Sequence, residues 1–196
     1  MRKGTTAIGM NIEDEVAARI AIGDCLAHYA RSVDRAQWDR IGESFHDGAY
    51  DDHGAYKGDI SGFTKWVQEH HREVVQSMHC LTNTLIEFVS SDRALVETYF
   101  ASYKTTAQNA EIEGARHYTN SRVLGRYIDI FELRAGNWAI ARRTVVTEAV
   151  TMELGGVPVP PNRTLASRDD LDPLVLTRRE LGLSSTPGVN RVNSSY

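Results

Sequence analysis

The sequence of 196 residues has few cysteines and no long apolar run. Its two cysteines, Cys25 and Cys80, are too few for a network of disulfide bonds, and the chain has no C-x-x-C pair of the kind that binds zinc or performs redox chemistry. No stretch approaches the roughly 18 consecutive apolar residues of a transmembrane helix. Arg2 and Lys3 are not followed by the apolar segment of a secretory signal. These absences predict a cytoplasmic protein that does not enter a membrane.

An excess of positive charge is also absent. Lysine and arginine contribute 22 residues and aspartate and glutamate 26, so the formal net charge is -4 at pH 7. Nucleic acids and anionic membranes attract positively charged surfaces, so neither is an expected partner. The P-loop, G-x-G-x-x-G and G-x-S-x-G motifs are missing, which leaves nucleotide, dinucleotide and serine hydrolase chemistry without support. The expected partner is a small molecule, and no cofactor is predicted.

Helical patterns occupy the first part of the chain. Asn11 is a typical N-cap with acidic residues after it, and the helix that it begins is predicted to reach about Val33, with Asp34 at its C-terminal end. A second helix is predicted over residues 36–45, ended by His46-Asp47-Gly48, and a third helix after the N-cap Asp59. Helical spacing predicts that the first helix buries one face of small and apolar residues through about Val33. That face is formed by Ile12, Val16, Ile20, Gly23, Ala27 and Ala30, flanked by Ala17, Leu26 and Tyr29.

The pattern then changes to the twofold alternation of β-strands. Strands are predicted over residues 78–89, 94–106, 116–133 and 137–148. Three helices followed by four long strands predict an α+β fold, with the helices on one face of a curved sheet that is antiparallel or mixed.

Both ends of the chain are predicted to lie outside this domain. Residues 1–10 are expected to be flexible, and the glycines and prolines that begin at Gly155 cannot continue a central strand. Residues 155–196 are therefore predicted to be an extension that serves as a lid or as a subunit-contact arm. Within it, Asp172-Pro173 is expected to begin a short helix that ends near Leu181.

His79 and Asp34 are the main candidate catalytic residues. His79 stands in an apolar strand where another aliphatic residue would be usual, and Asp34 ends a helix whose dipole opposes negative charge. Each therefore needs a partner, and an imidazole oriented by a carboxylate is a general base. The alternatives are a core histidine bonded to a backbone carbonyl and an aspartate exposed to water.

Other polar clusters are weaker candidates. In the last strand Arg142 and Arg143 face opposite sides; if Arg143 faces the concave side it can bind a departing anion, and otherwise both are surface charges. Asp51-Asp52-His53 and His70-His71 contain metal-ligand residue types, but neighbours on a strand or helix point in different directions. No metal site is therefore predicted. For the same reason Cys80 cannot pair with His79.

Several short segments in this order resemble the SnoaL-like branch of the nuclear transport factor 2-like superfamily. The resemblance covers about residues 12–150 and implies a cone-shaped α+β barrel, formed here by residues 11–154, in which helices and a strongly bent sheet enclose an apolar cavity. The segments are Tyr29-Ala30-Arg31-Ser32-Val33-Asp34, Tyr56-Lys57-Gly58, Met78-His79 with Asn83, and Trp138-Ala139-Ile140-Ala141-Arg142-Arg143.

The resemblance also implies catalytic roles, because the dehydratases and dehydrochlorinases of this branch use an Asp–His pair. That pattern falls on Asp34 and His79, with Arg143 or Tyr29 as the group that assists departure. The remaining residues expected to bind substrate are Tyr50, Tyr56, Trp66, Asn83, Tyr99 and His117.

The expected function is therefore a cofactor-independent lyase that acts on an apolar, ring-containing molecule of aromatic, steroid-like or halogenated type. Loss of water or halide and retro-aldol C–C cleavage all need the same base, so the sequence does not choose among them. An isomerase, a polyketide-type cyclase and a non-catalytic binding or assembly module are the alternatives. The resemblance further implies a homo-oligomer, either a dimer or a trimer.

Overall fold

The computed structural model describes residues 9–112, 115–155 and 163–183. For residues 109–112 and 115–117 it describes the backbone only. None of the described helices is both long and apolar enough to cross a membrane. The helices are α1 (Ile12–Asp34), α2 (Ile60–His70) and α3 (Pro173–Glu180), with a 3₁₀ helix at Trp38–Ser44; the strands are β1 (Phe45–Asp52), β2 (Lys57–Asp59), β3 (Val74–Ser90), β4 (Arg93–Ile112), β5 (Ala115–Arg134) and β6 (Asn137–Leu154).

The six strands form one open, mixed sheet. Its order is β2-β1-β6-β5-β4-β3; β1 pairs with β6 in parallel, and every other neighbouring pair is antiparallel. The helices precede the long strands and pack on the sheet, which confirms the predicted α+β cone. Each of the four long strands extends beyond its predicted limits.

The sequence of residues 49–58 predicts a short strand, a turn and another short segment, which β1 and β2 confirm, but β1 begins earlier than predicted. The chain enters β1 at Phe45, directly after the 3₁₀ helix, where the sequence predicted the end of an α-helix. Gly48 has a φ of 76°, and the pairing of β1 with β6 is irregular between Phe45 and Tyr50. The glycine therefore allows a bulge within a strand instead of a helix end.

Helix α1 has the predicted limits but a different buried face. The Asn11 side chain accepts a hydrogen bond of 2.9 Å from the Asp14 backbone, as expected of an N-cap. The predicted face is wrong, since Ile12, Val16 and Ile20 are exposed, with Ile20 61% accessible. The helix has apolar residues around most of its circumference, so spacing alone does not select a face. The buried residues include Ala18, Ile22, Cys25, Leu26, Tyr29 and Val33.

An aromatic core between the helices and the sheet depends on Gly125 in β5. A Cβ atom at this glycine would lie 2.4 Å from the Val146 carbonyl oxygen and 2.8 Å from the Phe100 ring. Because glycine leaves that space free, Phe100 packs flat on Tyr127 with 4.4 Å between ring centroids. These two rings form part of the cavity wall described below.

The described part of the C-terminal extension contains the predicted short helix. Asp172 caps α3, Pro173 occupies its first turn, and Gly182 follows its end with a φ of 65°. Of the predicted flexible N-terminus, residues 1–8 lie outside the described residues, and Met10 is buried.

Candidate active site

The last residue of α1 and a residue of β3 form an Asp–His pair. His79 Nδ1 lies 2.7 Å from Asp34 Oδ1, and the His79 backbone N–H donates to Asp34 Oδ2 at 2.8 Å. Ser77, two residues earlier on the same strand, donates its hydroxyl to Asp34 Oδ1 at 2.9 Å. Two oddly placed residues of the sequence are therefore partners, 45 positions apart along the chain.

The hydrogen bonds fix which nitrogen of His79 is available for chemistry. Burial raises the pKa of Asp34, but the bonds from His79 and Ser77 outweigh it and hold that pKa below its ordinary value. An ionised carboxylate only accepts hydrogen bonds, so His79 Nδ1 is the protonated nitrogen. Nε2 of the neutral ring then has a free lone pair, as a general base requires.

Arg168, in the segment after the sheet, holds the end of α1 in place. Its guanidinium donates to the carbonyl oxygens of Val33 and Asp34, each at 3.0 Å, and to that of Val74 at 2.8 Å. Helix ends leave carbonyl groups unpaired, and a cation favours that end of the helix dipole. The C-terminal segment therefore positions the backbone that presents the Asp34 carboxylate.

His79 borders a cavity of ≈ 130 Å³ between the helices and the concave face of the sheet. The lining residues are aromatic, aliphatic, basic or hydroxyl-bearing, and no carboxylate is among them. They are Tyr29, Val33, His53, Trp66, Val67, His70, His71, His79, Phe100, Ser102, Lys104, Val123, Tyr127, Val145 and Thr147. His79 also borders a groove of ≈ 360 Å³ near Leu81 and Leu174, but that groove lacks aromatic side chains. The cavity is the better site for a ring.

Arg143 does not line the cavity, which corrects its predicted role. It points inward from β6, but it is fully buried and forms a two-pronged ion pair with Asp129, at 2.8 and 2.6 Å. Asp129 is its register partner on β5, so the carboxylate is directly opposite. Burial lowers the pKa of Arg143, but Asp129 raises it by more. The guanidinium is thus engaged within the core and is closed to a departing group, while Arg142 is exposed.

The buried guanidinium organises two cavity tyrosines. Arg143 lies 4.2 Å from the ring centroid of Tyr29 and 4.0 Å from that of Tyr127. Burial raises the pKa of both hydroxyl groups, which therefore stay protonated and can donate hydrogen bonds. Tyr29 lines the cavity as predicted.

The predicted substrate-binding residues are mostly outside the cavity. Trp66 lines it, whereas Tyr56 packs against Trp66 and donates its hydroxyl to the Asp59 carbonyl oxygen. Tyr50, Asn83 and Tyr99 are exposed. His117 is in β5, but its side chain is outside the described residues.

Strand alternation explains two of these errors. Tyr50 and Tyr99 point away from the site, while their neighbours Asp51 and Phe100 are buried on the inner side. In each pair the sequence predicted the tyrosine as a substrate-binding residue, whereas the adjacent residue faces inward.

His53 and Lys104 are two of the cavity residues that the sequence analysis did not predict. His53 Nδ1 lies 2.9 Å from Asp51 Oδ1, and alternate positions of a strand share a face, so the sequence did contain this signal. Lys104 faces the cavity from β4, and burial lowers its pKa. Among the described residues no carboxylate lies within ion-pair distance of Lys104. Its inward position follows from the strand register, which pairs His79 with Ser102 and places Lys104 on the same face.

The sequence matches the SnoaL-like domain over residues 14–144, which is more than half of the chain. The chain belongs to the SnoaL-like family. The match confirms the predicted resemblance to this branch of the nuclear transport factor 2-like superfamily. Comparison with curated proteins gives no match.

Solved structures of SnoaL-like type share the fold. A hexachlorocyclohexane dehydrochlorinase, LinA-type3 from Novosphingobium barchaimii LL02, is 25% identical with a TM-score of 0.63, covering 76% of this chain and 99% of its own. LinA type 2 is 23% identical with a TM-score of 0.64, covering 77% and 99%. A protein described as a scytalone dehydratase of Novosphingobium aromaticivorans DSM 12444 is 16% identical with a TM-score of 0.63, covering 78% and 99%.

The SnoaL-like match ends before the C-terminal segment. Asp34, His53, His79 and Lys104 all lie within residues 14–144, whereas Arg168 does not. The carbonyl groups at the end of α1 are therefore bound by a residue outside the matched domain.

Proposed function

We propose that this SnoaL-like protein is a cofactor-independent lyase that eliminates a small group from an apolar, ring-containing molecule. The observation that supports it most directly is the 2.7 Å contact of His79 with Asp34 at the wall of an aromatic cavity. The relatives named as a dehydratase and as dehydrochlorinases support an elimination over the other reactions that use such a base.

In the proposed reaction His79 Nε2 removes a proton from carbon. Asp34 keeps the second proton on Nδ1 and stabilises the imidazolium that forms, and a general base of this kind contributes roughly 10²- to 10⁴-fold to the rate. Removal of the proton leaves negative charge on the substrate. Lys104 and the Tyr29 hydroxyl both line the cavity and can stabilise that charge, which replaces the role predicted for Arg143.

The size of the cavity limits the substrate. A volume of ≈ 130 Å³ is close to that of an apolar cavity of about 150 Å³ that binds benzene in another protein. The reacting part of the substrate is therefore one six-membered ring, substituted by oxygen or halogen. A steroid-like molecule would have to leave most of its rings outside the cavity.

The proposal is tested by turnover of single-ring substrates without added metal or nucleotide. The panel contains 3-hydroxycyclohexanone, 3-acetoxycyclohexanone and chlorinated cyclohexanes, and the alkene product is followed by absorbance or gas chromatography. We expect His79→Gln and Asp34→Asn each to lower kcat/KM by at least roughly 10²-fold.

Asn83→Ala is the control, because Asn83 is exposed on the same strand as His79. Circular dichroism and urea unfolding show whether each variant is folded. Unchanged turnover in a folded His79→Gln variant contradicts the proposal, and so does the absence of wild-type turnover across the whole panel.

A further inference from the structure

A second Asp–His pair stands on the wall of the same cavity. His53 directly follows β1, and its Nδ1 lies 2.9 Å from Oδ1 of Asp51, which is fully buried. The His53 ring stacks on Phe63, with centroids 4.7 Å apart and planes 29° apart. Nε2 of His53 makes no hydrogen bond with any residue that the structure describes. The ring is therefore held from two sides, and one nitrogen remains available to a ligand.

The two carboxylates differ in how completely they are hydrogen-bonded. Asp34 accepts from the His79 ring, the His79 backbone and the Ser77 hydroxyl. Asp51 is bonded to the His53 ring through Oδ1, and its buried Oδ2 has no partner within the described part of the chain. A buried carboxylate that lacks donors is costly, so Asp51 gains more from a positive charge on its histidine than Asp34 does.

The charged residues buried behind the cavity support the same conclusion about Asp51. Asp51 stands opposite Arg143 in the pairing of β1 with β6, and all three of Asp51, Asp129 and Arg143 are fully buried. Nε and Nη2 of the guanidinium donate to Asp129, and its buried Nη1 has no hydrogen-bond partner among the described residues. Two buried carboxylates thus share one buried cation, and the second carboxylate, Asp51, relies on the His53 ring for its hydrogen bond.

We propose that His53 is a general acid that protonates the leaving oxygen, so that the eliminated group is water or an alcohol and not a halide. The inference rests on the proposed function, in which His79 is the base. It distinguishes loss of water from loss of halide, which the sequence left open. Hydroxide is a poor leaving group unless it is protonated, whereas chloride leaves as the anion.

The two histidines carry out both proton transfers of the proposed step. His79 Nε2 takes the proton from the carbon beside a carbonyl group, and the electron pair of that C–H bond forms the C=C bond. The C–O bond of the next carbon breaks, and its oxygen takes the proton from His53 Nε2 and departs as water. His79 ends protonated and His53 neutral, and one proton passes back through solvent before the next turnover.

Two substrates that differ only in the leaving group test this assignment. Loss of water from 3-hydroxycyclohexanone and loss of acetate from 3-acetoxycyclohexanone both give cyclohexenone, but acetate needs no acid. We expect His53→Gln to slow the first reaction by roughly 10²-fold and the second by less than about threefold, and His79→Gln to slow both. Asp51→Asn, which changes a positioning residue, should shift the leaving-group preference in the same direction as His53→Gln.

His46→Gln is the matched control, because His46 lies on β1 outside the cavity and bonds the Glu132 carbonyl oxygen. Equal slowing of both reactions by His53→Gln, or slowing of neither, overturns the role of His53 while leaving His79 as the base. If the wild-type protein converts chlorinated cyclohexanes but neither of these two substrates, the role of His53 is overturned while the proposed function stands. If it converts no member of the panel, the proposed function fails first. Imidazole ¹⁵N NMR of the free protein then decides the assignment separately, since a general acid requires a proton on His53 Nε2 under the assay conditions.

Discussion

His71 is a buried histidine that the folded protein keeps uncharged. It caps the C-terminal end of α2, and its Nδ1 accepts a hydrogen bond of 3.2 Å from the Arg168 guanidinium. Its ring meets the Trp38 ring edge-on at 5.7 Å. Burial first, and then the positive charges of Lys104 and Arg168, lower the pKa of His71 to about 3. In the unfolded chain the same imidazole titrates near 6.5.

The low pKa of His71 predicts a loss of stability in mild acid. Between about pH 6.5 and pH 3 the unfolded chain binds the proton and the folded protein does not, so the free energy of unfolding falls as the pH falls through this window. At 1.36 kcal/mol per pH unit, the contribution of His71 to this loss between pH 6.5 and pH 5 is about 2 kcal/mol. His71→Gln removes the group that titrates. Urea unfolding at pH 7 and pH 5 should therefore show a smaller loss in the variant than in the wild type, and equal losses would contradict the prediction.

The sequence predicted the site residues whose surroundings made them unusual. His79 in an apolar strand and Asp34 at a helix C-terminus each lacked an evident partner, and each is the partner of the other. The sequence left open whether Arg143 faces inward, and its engagement by Asp129 depends on the register of the neighbouring strands β5 and β6. His53 was missed because Asp51-Asp52-His53 was considered as adjacent residues, whereas the contact joins alternate ones.

At the scale of elements, the close approach of β5 to β6 at Gly125 determines where the cavity wall stands. The Val146 carbonyl oxygen and the Phe100 ring occupy the space of a side chain, and the pairing of β5 with β6 shifts between Leu124 and Gly125. A backbone oxygen in a sheet cannot move without breaking neighbouring hydrogen bonds. The smallest added side chain therefore has to displace Phe100, the strand or both.

Gly125→Ala is expected to destabilise the protein by about 1 to 3 kcal/mol, the usual range for overpacking. The matched control is Gly23→Ala in α1, where nothing lies within 4 Å of the added Cβ. An alanine in an exposed helix position should stabilise by about 0.5 to 1 kcal/mol. Thermal unfolding of the two variants should therefore shift in opposite directions. Equal shifts would show that the close contact at Gly125 relaxes at little cost.

Local signals defined helix limits well and helix orientation poorly. Asn11, Asp59 and Asp172 were predicted as N-caps, and each side chain accepts a backbone hydrogen bond in the structure. The buried face of α1 and the start of β1 were wrong, because both depend on what the rest of the chain places against them. A cap is a contact within one turn, whereas burial is a contact between elements.

At the scale of the whole molecule, the outer face of the sheet carries exposed apolar side chains beside the arginines Arg122 and Arg126, whereas the inner face lines the cavity. Met78 pairs with Tyr103, and Ala101 pairs with Leu124, so these side chains lie on one side of β3, β4 and β5. Tyr99 lies on the same side by alternation along β4. We call Met78, Tyr99, Tyr103 and Leu124 the outer-face patch; each of the four is between 40% and 51% exposed. Exposed apolar side chains grouped on one face, with charged residues around them, often mark a contact with another protein surface.

The outer-face patch supports the predicted homo-oligomer and shows where to disrupt it. Leu124→Lys introduces a charge into the patch, and burying that charge in a subunit contact would cost more than the contact gains. We expect the wild type to have the mass of a dimer or trimer by light scattering, and Leu124→Lys to have the mass of a monomer. Val89→Lys is the control, because Val89 is 66% exposed near the end of β3, away from the patch. An unchanged mass in Leu124→Lys would show that subunits meet elsewhere, and a monomeric wild type would contradict the prediction.

Because the cavity residues all belong to one chain, a folded monomer should keep the His79–Asp34 contact, so that the loss of assembly and the loss of catalysis can be measured independently.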